Sequence, residues 1–348
     1  MIDYEASKID QLAIHRVGNQ TNDEELNLSK TVVDLSDEYL DGLLTKYFFK
    51  PFSIPEFYNF TFSDGSFDLN PIYNYAKSIF ENQNSLHIES VKIAKHLFQV
   101  ASHPKIKGGD LFVVKFSDVS FQGAAIDVIG IFKSETMHSF LQVKGAKNNL
   151  EVDYQKGINI EKVDKGCLIF NDNQDEGYKV CIIDKSNKAN DALYWKDLFL
   201  NLKPCKDAYH STKEFLTITK NFITKQVSQE FDIEKADKID MLNKSVEYFK
   251  NNNSFDQEEF ETDVLVDNGV IESFRSFDNN YRDEHEIEID DSFSISNQAV
   301  KKQERLFKSV LKLDKNFHIY IHGDRKKIEK GFEVDGRKFY KIYYDDEI

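Results

Sequence analysis

The stretches LFVVKF (111–116), AIDVIGIF (125–132), SFLQVK (139–144), CLIF (167–170) and YKVCII (178–183) follow one another along the chain, each dominated by Val, Ile and Phe. Runs of this length and composition predict β-strands with at least one buried face. The connections are short and turn-like: Gly108-Gly109-Asp110 precedes the first run, and Asp164-Lys165-Gly166 and Asp175-Glu176-Gly177 lie further on. No ten-residue helix fits between most of the runs, so the sheet they build is largely antiparallel. LAIHRV (12–17) joins it as an early strand.

Outward from this block the pattern is helical. On the N-terminal side, Leu40, Leu43, Leu44, Tyr47 and Phe48 recur at helical spacing after Ser36 as cap, with Asp37 and Glu38 at the positive end and Pro51 as the stop. A second helix falls between Ile72 and Glu81. A third runs from about Ser90 to His103-Pro104, burying Ile93, Leu97 and Val100. On the C-terminal side, Ala189–Leu202 reads as helical and holds the only tryptophan, Trp195. Ser211 and Glu214 form an S-x-x-E capping box before Phe215, Ile218, Phe222 and Ile223, and a helix from Asp232 buries Ile239, Leu242, Val246 and Phe249. Short helices are expected through 255–291. FHIYIH (317–322) alternates as a strand, and FEVDGRKFYKIYY (332–344) reads as a hairpin about a type I′ Asp335-Gly336 pair. The fold class is α+β: a largely antiparallel sheet with helices in the N-terminal half, a helical middle and a small basic C-terminal β-sheet. The expected divisions are 1–185, 186–292 and 293–348.

The 348 residues, 40% hydrophobic and 13% aromatic, can build more than one core and exclude a wholly disordered chain. No apolar run reaches the roughly 20 residues of a membrane helix, and the acidic start MIDYEASKID is not expected to act as a secretory signal. Three cysteines without a C-x-x-C pair (Cys167, Cys181, Cys205) point to free thiols in a reducing, cytoplasmic setting.

The net charge of −15 disfavours blanket adsorption to nucleic acid, but its distribution is uneven. Phe255–Asp291 carries 14 acidic residues against two arginines, Arg275 and Arg282; Lys301–Lys341 carries 13 basic residues against six acidic ones. Lys92–Lys107 has Lys92, Lys95, Lys105, Lys107, His96 and His103 and no acid at all. The candidate phosphate-contacting residues are therefore Lys92, Lys95, His96, Lys105 and Lys107, together with Arg325, Lys326, Lys327, Lys330, Arg337, Lys338 and Lys341. Neutralisation of these islands by the acidic segments is the competing structural reading.

Motifs for other chemistry are missing or incomplete. Neither a Walker loop, a Rossmann fingerprint nor a G-x-S-x-G elbow is present. HEIEI (285–289) lacks a second His for zinc, and His318 and His322 stand about 13 Å apart along a strand. DNQDEG (172–177) begins like a calcium loop but places Ile183 where a bidentate Glu is needed. Cys167 sits in an apolar strand, as a buried thiol does. Asp127 with Gln142-Val143-Lys144 on the following strand is the one weak nuclease-like pattern, an acid for Mg²⁺ and a Lys to orient water.

IHRVGN (14–19), LTKYFFKPF (44–52), SVKIAKHLF (90–98), SHPKIKGGDLFVVKF (102–116), IGIFKSE (129–135), KGINIEKVDKGCLIFN (156–171), GYKV (177–180), YWKDLFL (194–200) and FHIYIHGDRKKIEKG (317–331) occur in that order. Together they resemble the bacterial nucleoid-associated protein family of the NdpA type, from about residue 9 onward. The resemblance implies a cytoplasmic, nucleoid-located, non-enzymatic protein that organises the chromosome by binding double-stranded DNA with little sequence preference. It implies no cofactor, no metal and no catalytic residue. Three readings stand open. The first is direct DNA binding through the basic islands, with a homodimer as one arrangement that concentrates them on a face. The second is an accessory protein docking its acidic helical half on a basic DNA-processing partner. The third is a divergent Mg²⁺-dependent nuclease at Asp127 and Lys144.

Overall fold

The computed structural model describes residues 2–53, 56–63, 65–146, 149–185, 194–307, 310–321 and 327–346. Two compact units make up the chain, 1–205 and 206–348.

The first unit contains β1 (Ile2–Asp3), β2 (Lys8–Val17), β3 (Leu26–Leu28), α1 (Glu38–Phe49), β4 (Phe57–Phe60), α2 (Pro71–Glu81), α3 (Leu86–Val100), β5 (Gly109–Phe121), β6 (Ala124–Ser134), β7 (Met137–Ala146), β8 (Asn149–Ile158), β9 (Lys165–Phe170), β10 (Lys179–Asp184) and β11 (Leu202–Pro204). Nine strands form one sheet in the order β11-β4-β10-β9-β6-β5-β2-β3, with β1 on β5. Every pairing is antiparallel, as the short connections require. Both faces of this sheet are covered. Leu111, Val113, Ile129, Ile131 and Ile169 pack on one side with Ile79, Ile93 and Leu97 of α2 and α3. Phe112, Val114, Phe116, Phe132 and Leu168 pack on the other with Tyr47, Phe48 and Phe49 of α1. Burial on two faces is why β5 and β6 read as continuous apolar runs rather than alternating ones.

Three lysines interrupt that apolar sheet and are almost fully buried: Lys115, Lys133 and Lys165. Each is held by a carboxylate, Asp127 at 3.1 Å, Glu135 at 3.0 Å and Asp184 at 2.8 Å respectively, as a buried ammonium requires.

The expected strand 139–144 exists but leaves the sheet: β7 pairs with β8 alone, from Met137↔Ile158 to Ala146↔Asn149. The first helix is capped by Asp37, not Ser36. The carboxylate accepts from the backbone N–H of Tyr39 and Leu40, a charge-assisted cap that a hydroxyl does not match. The third helix starts four residues earlier than its sequence pattern shows, at Leu86. DNQDEG is a hairpin connection between β9 and β10, with Asn173 and Gly177 left-handed. Of the helix expected over 189–202, residues 189–193 lie outside the described residues, and Tyr194–Leu200 form a π-helical segment.

The second unit contains α4 (Ala208–Asn221), α5 (Val227–Glu230), α6 (Lys235–Asn251), β12 (Ser254–Asp256), α7 (Gln257–Phe260), α8 (Asn268–His285), β13 (Ser292–Ser294), α9 (Asn297–Glu304), β14 (Val310–Leu313), β15 (Phe317–Tyr320), β16 (Ile328–Phe332) and β17 (Lys338–Ile342). Its core is aromatic: Phe215, Phe249, Phe255, Phe260 and Phe274 gather with Phe222 and Val246. The capping box at Ser211 does not form, because Asp207 caps α4 four residues before Ser211 would, accepting from His210 N at 2.9 Å. The acidic stretch is not all short helices; α8 spans 18 residues behind an Asp267 cap. The C-terminal strands form two separate ribbons, β14-β15 and β16-β17, rather than one sheet. In the second ribbon Gly336 alone is left-handed, and Gly336 N bonds Glu333 O while Glu333 N bonds Arg337 O. That is a three-residue loop closed by a glycine bulge, not the two-residue type I′ turn, which needs positive φ at both centres.

Candidate nucleic-acid interface

The basic segment 92–107 straddles the end of α3 and the loop that leads to β5. The helix stops at Val100, Ala101 N still bonding Leu97 O, and Pro104 excludes further helical turns. The loop is clasped by the turn that follows β2. Buried Asn19 donates through Nδ2 to His103 O at 2.8 Å and to Ile106 O at 2.7 Å, while its Oδ1 accepts from Thr21 N at 2.9 Å. Thr21 Oγ1 donates to Ser102 O at 2.7 Å and Asn22 Nδ2 to Pro104 O at 3.0 Å. Ile106 is buried as a plug, and the buried Lys133 ammonium donates to Lys107 O at 2.6 Å. Gly18 makes the clasp possible, since a Cβ there would stand 2.6 Å from Glu25 O. The backbone carbonyls of Ser102, His103, Pro104, Ile106 and Lys107 are thus tied inward, and the side chains of His103, Lys105 and Lys107 are exposed.

Within this segment the cations divide. Lys95, Lys105 and Lys107 are exposed and have no carboxylate partner among the described residues. Lys92 is tied to Glu89 at 2.8 Å and lies 5.8 Å from the Tyr75 ring centroid. His96 has an internal role: Nε2–H donates to Phe199 O at 3.2 Å and the ring stacks on Phe199. Burial lowers its pKa, the carbonyl partner opposing this in part, so the ring is neutral near pH 7. Carboxylates are also near: Glu24, whose Oε2 accepts from Asn19 N at 2.9 Å, sits beside Gly108.

The C-terminal island is more self-neutralised. Arg325 and Lys326 lie outside the described residues. Lys327 is bonded to Asp345, Lys330 reaches Glu234 at 3.7 Å, and Arg337 pairs with Asp335 at 2.7 Å. Lys341 lies 4.8 Å from the Tyr343 ring centroid, leaving Lys338 without an acidic partner among the described residues. Lys338 and Lys341 are an odd number of positions apart on β17, so the strand's period of two sends them to opposite faces.

In the acidic stretch 255–291 the only two arginines are consumed by its only two buried acids. Arg275 forks onto Glu261 at 2.6 Å, and Arg282 bonds Asp278 at 2.7 Å. The other twelve carboxylates are exposed, which makes a strongly acidic surface of the second unit.

The nuclease-like pattern is not assembled. Asp127 on β6 pairs with Lys115, whereas Lys144 on the separate β7-β8 ribbon pairs with Asp153 at 2.8 Å. The strand after β6 in sequence is not its neighbour in the sheet. Among the described residues no group of three His, Cys, Asp or Glu side chains could hold a metal ion. All three cysteines are buried and none forms a disulfide; burial pushes the Cys167 thiol far above its usual range, and Cys205 Sγ–H donates to Asn59 Oδ1 at 2.8 Å. His15 is likewise internal: Nδ1 accepts from Ser29 N at 3.1 Å, so Nε2–H donates to Ser90 Oγ at 2.9 Å. Burial, aided by His87, lowers its pKa to about 4.

Asn19, Thr21 and Asn22, which position the basic loop, carry no chemical motif of their own. They act across more than 80 residues of sequence, and the only trace is that IHRVGN and SHPKIKGG both belong to the resembling blocks.

These observations define an α+β protein marked by two charged surfaces of opposite sign and a rigidly held lysine loop. Among the described residues no helix is long and apolar enough to cross a membrane. Residues 13–347 match the family described as nucleoid-associated protein YejK, and the chain belongs to that family. It is therefore a nucleoid-associated protein. No curated protein is similar enough to the chain to count as a match.

Proposed function

We propose that the chain binds double-stranded DNA directly, without strong sequence preference and without catalysing a reaction or needing a cofactor. The loop of the first unit is the primary contact. The observation that carries this is the set Lys95, Lys105 and Lys107: three exposed ammonium groups free of carboxylate partners among the described residues, two of them on a loop whose backbone is fixed by Asn19, Thr21 and Asn22. A loop ordered before binding loses little entropy when phosphates engage it. Lysine is a point charge suited to phosphate and carries no base readout, in keeping with sequence-independent binding. Lys92 extends this contact at lower weight; in the second unit Lys338 and Lys341 are a separate, lesser contact, and Lys327, Lys330 and Arg337 must first give up their carboxylates.

The test is fluorescence anisotropy of the full chain with two unrelated random duplexes at low and physiological salt. The proposal expects affinities within a few-fold of each other and a steep loss with salt. Undetectable binding at low salt would overturn it.

A second reading is favoured by the acidic surface of 255–291, whose arginines are already consumed. In that reading the helical unit docks on a basic DNA-processing protein and reaches the nucleoid through it. Charge reversal at exposed Glu258, Asp283 and Glu284 would abolish such docking and leave duplex binding intact, which separates the two.

A further inference from the structure

The β7-β8 ribbon is a ten-pair antiparallel hairpin that belongs to no larger sheet. Its register sorts the side chains cleanly. One face carries Met137, Leu141, Val143, Leu150, Val152 and Tyr154; the other carries Phe140 among His138, Gln142, Lys144, Glu151, Asp153 and Gln155. An apolar face normally turns toward a core, yet Leu141 is 81% exposed, Val143 65%, Leu150 71%, Val152 71% and Tyr154 61%. A two-stranded hairpin with no second layer is marginal in water, and a contiguous apolar patch of this kind marks an interaction surface.

We infer that this face is covered by the same face of a second copy of the chain, the two ribbons packing about a two-fold axis near the Val143–Val152 pair. Three observations choose that occupant. The first is charge. Lys144 and Lys156 balance Glu151 and Asp153, Lys144 is tied to Asp153 at 2.8 Å, and Lys156 is the one charged residue on the apolar side, so the ribbon offers phosphates or a charged protein little to select. The second is shape. The ranks along the face run Leu141–Tyr154, Val143–Val152 and Gly145–Leu150. An antiparallel two-fold about the middle rank sets the bulky Leu–Tyr rank of each copy over the hollow at Gly145 of the other, which is the self-complementarity an isologous contact needs. The third is area. Leu141, Val143, Leu150, Val152 and Tyr154 are 61–81% exposed on one face, apolar surface enough in two copies to reach the roughly 1,000 Å² of a specific interface. The inference stands independently of DNA binding, although a dimer would present two lysine loops to one duplex.

The experiment is sedimentation equilibrium of the full chain over a wide concentration range. Wild type should approach twice 40.5 kDa as concentration rises. The double variant Leu141→Lys with Val152→Glu keeps the ribbon neutral but charges its apolar face, and should weaken association by at least about tenfold, some 1.4 kcal/mol. Gln142→Lys, on the opposite face across from Asp153, should associate as wild type does. Because the native thiols are buried, the Val143→Cys variant should cross-link to its counterpart through a short bismaleimide, and this readout holds even if the double variant fails to fold. A wild type that stays monomeric, a double variant that folds and still dimerises, or no cross-link in the Val143→Cys variant would each overturn the inference. A monomer whose duplex binding is lost in the double variant would make DNA the occupant instead.

Discussion

Asn19→Ala tests whether the basic loop depends on its clasp. The substitution deletes two donors and one acceptor; the Ile106 carbonyl and the Thr21 N–H lose their partners, while the His103 carbonyl keeps its bond from Ile106 N at 3.0 Å. A buried group left unpaired costs about 1–3 kcal/mol. The Ile106 bond is fully buried, whereas the His103 and Thr21 bonds lie where water can reach in part, so the sum is about 3 kcal/mol. For a unit of this size that lowers Tm by roughly 6–12 °C. Trp195, the only tryptophan, is fully buried in the same unit, so its fluorescence during thermal unfolding reports the first unit selectively. Duplex affinity should also fall, by about fivefold, because binding must then order the loop at a cost of about 1 kcal/mol although no lysine has been removed. A change in stability below about 1 kcal/mol, with unaltered DNA affinity, would refute the claim that Asn19 holds the loop.

Acid should destabilise the first unit through His15, whose pKa of about 4 in the folded chain lies below the ordinary 6.5. Below pH 6.5 the unfolded chain takes up a proton that the folded one refuses, so stability falls as pH drops from 6.5 toward 4, by up to about 3 kcal/mol. Urea titrations at several pH values should show that slope, and His15→Gln should flatten it. Glu135→Gln removes the carboxylate from Lys133, an ammonium whose pKa burial already lowers; leaving it unpaired should cost about 3–5 kcal/mol in chemical denaturation, while Lys133→Met with Glu135→Leu should cost much less. Cys167, Cys181 and Cys205 should be inert to a thiol reagent in the native protein and all three should react in denaturant; fast native labelling would contradict their burial.

Much of the fold was legible because local signals agreed with it. The apolar runs 111–116, 125–132, 167–170 and 178–183 with turn-length gaps dictate an antiparallel sheet, and the helical spacing of Phe215, Ile218, Phe222 and Ile223 predicts the buried stripe that begins on α4. Cap identity failed twice, at Ser36 and Ser211. In each case a nearby Asp supplied a stronger acceptor, and sequence alone does not rank two neighbouring caps. The departure of β7 from the sheet was hidden because its strand period is ordinary; what differs is that no layer of the described residues covers its apolar face. At the candidate interface, sequence located the lysines but not which of them are free. Lys92–Glu89 is a local i,i+3 pair on one helix and Arg337–Asp335 lies within one hairpin loop, whereas Lys330 meets Glu234 and Lys327 meets Asp345 through the fold, which sequence does not show. Asn19 was invisible for the same reason, since its partners lie 84 and 87 positions away.

The salt dependence of duplex binding, compared between wild type and Lys95→Gln/Lys105→Gln/Lys107→Gln, addresses the central claim most directly. Each phosphate contact contributes about −0.9 to the slope of log K against log salt. The triple variant should therefore lose affinity for every duplex sequence alike, and its slope should be shallower by about 2 to 3. An unchanged affinity and slope would show that this loop does not touch DNA.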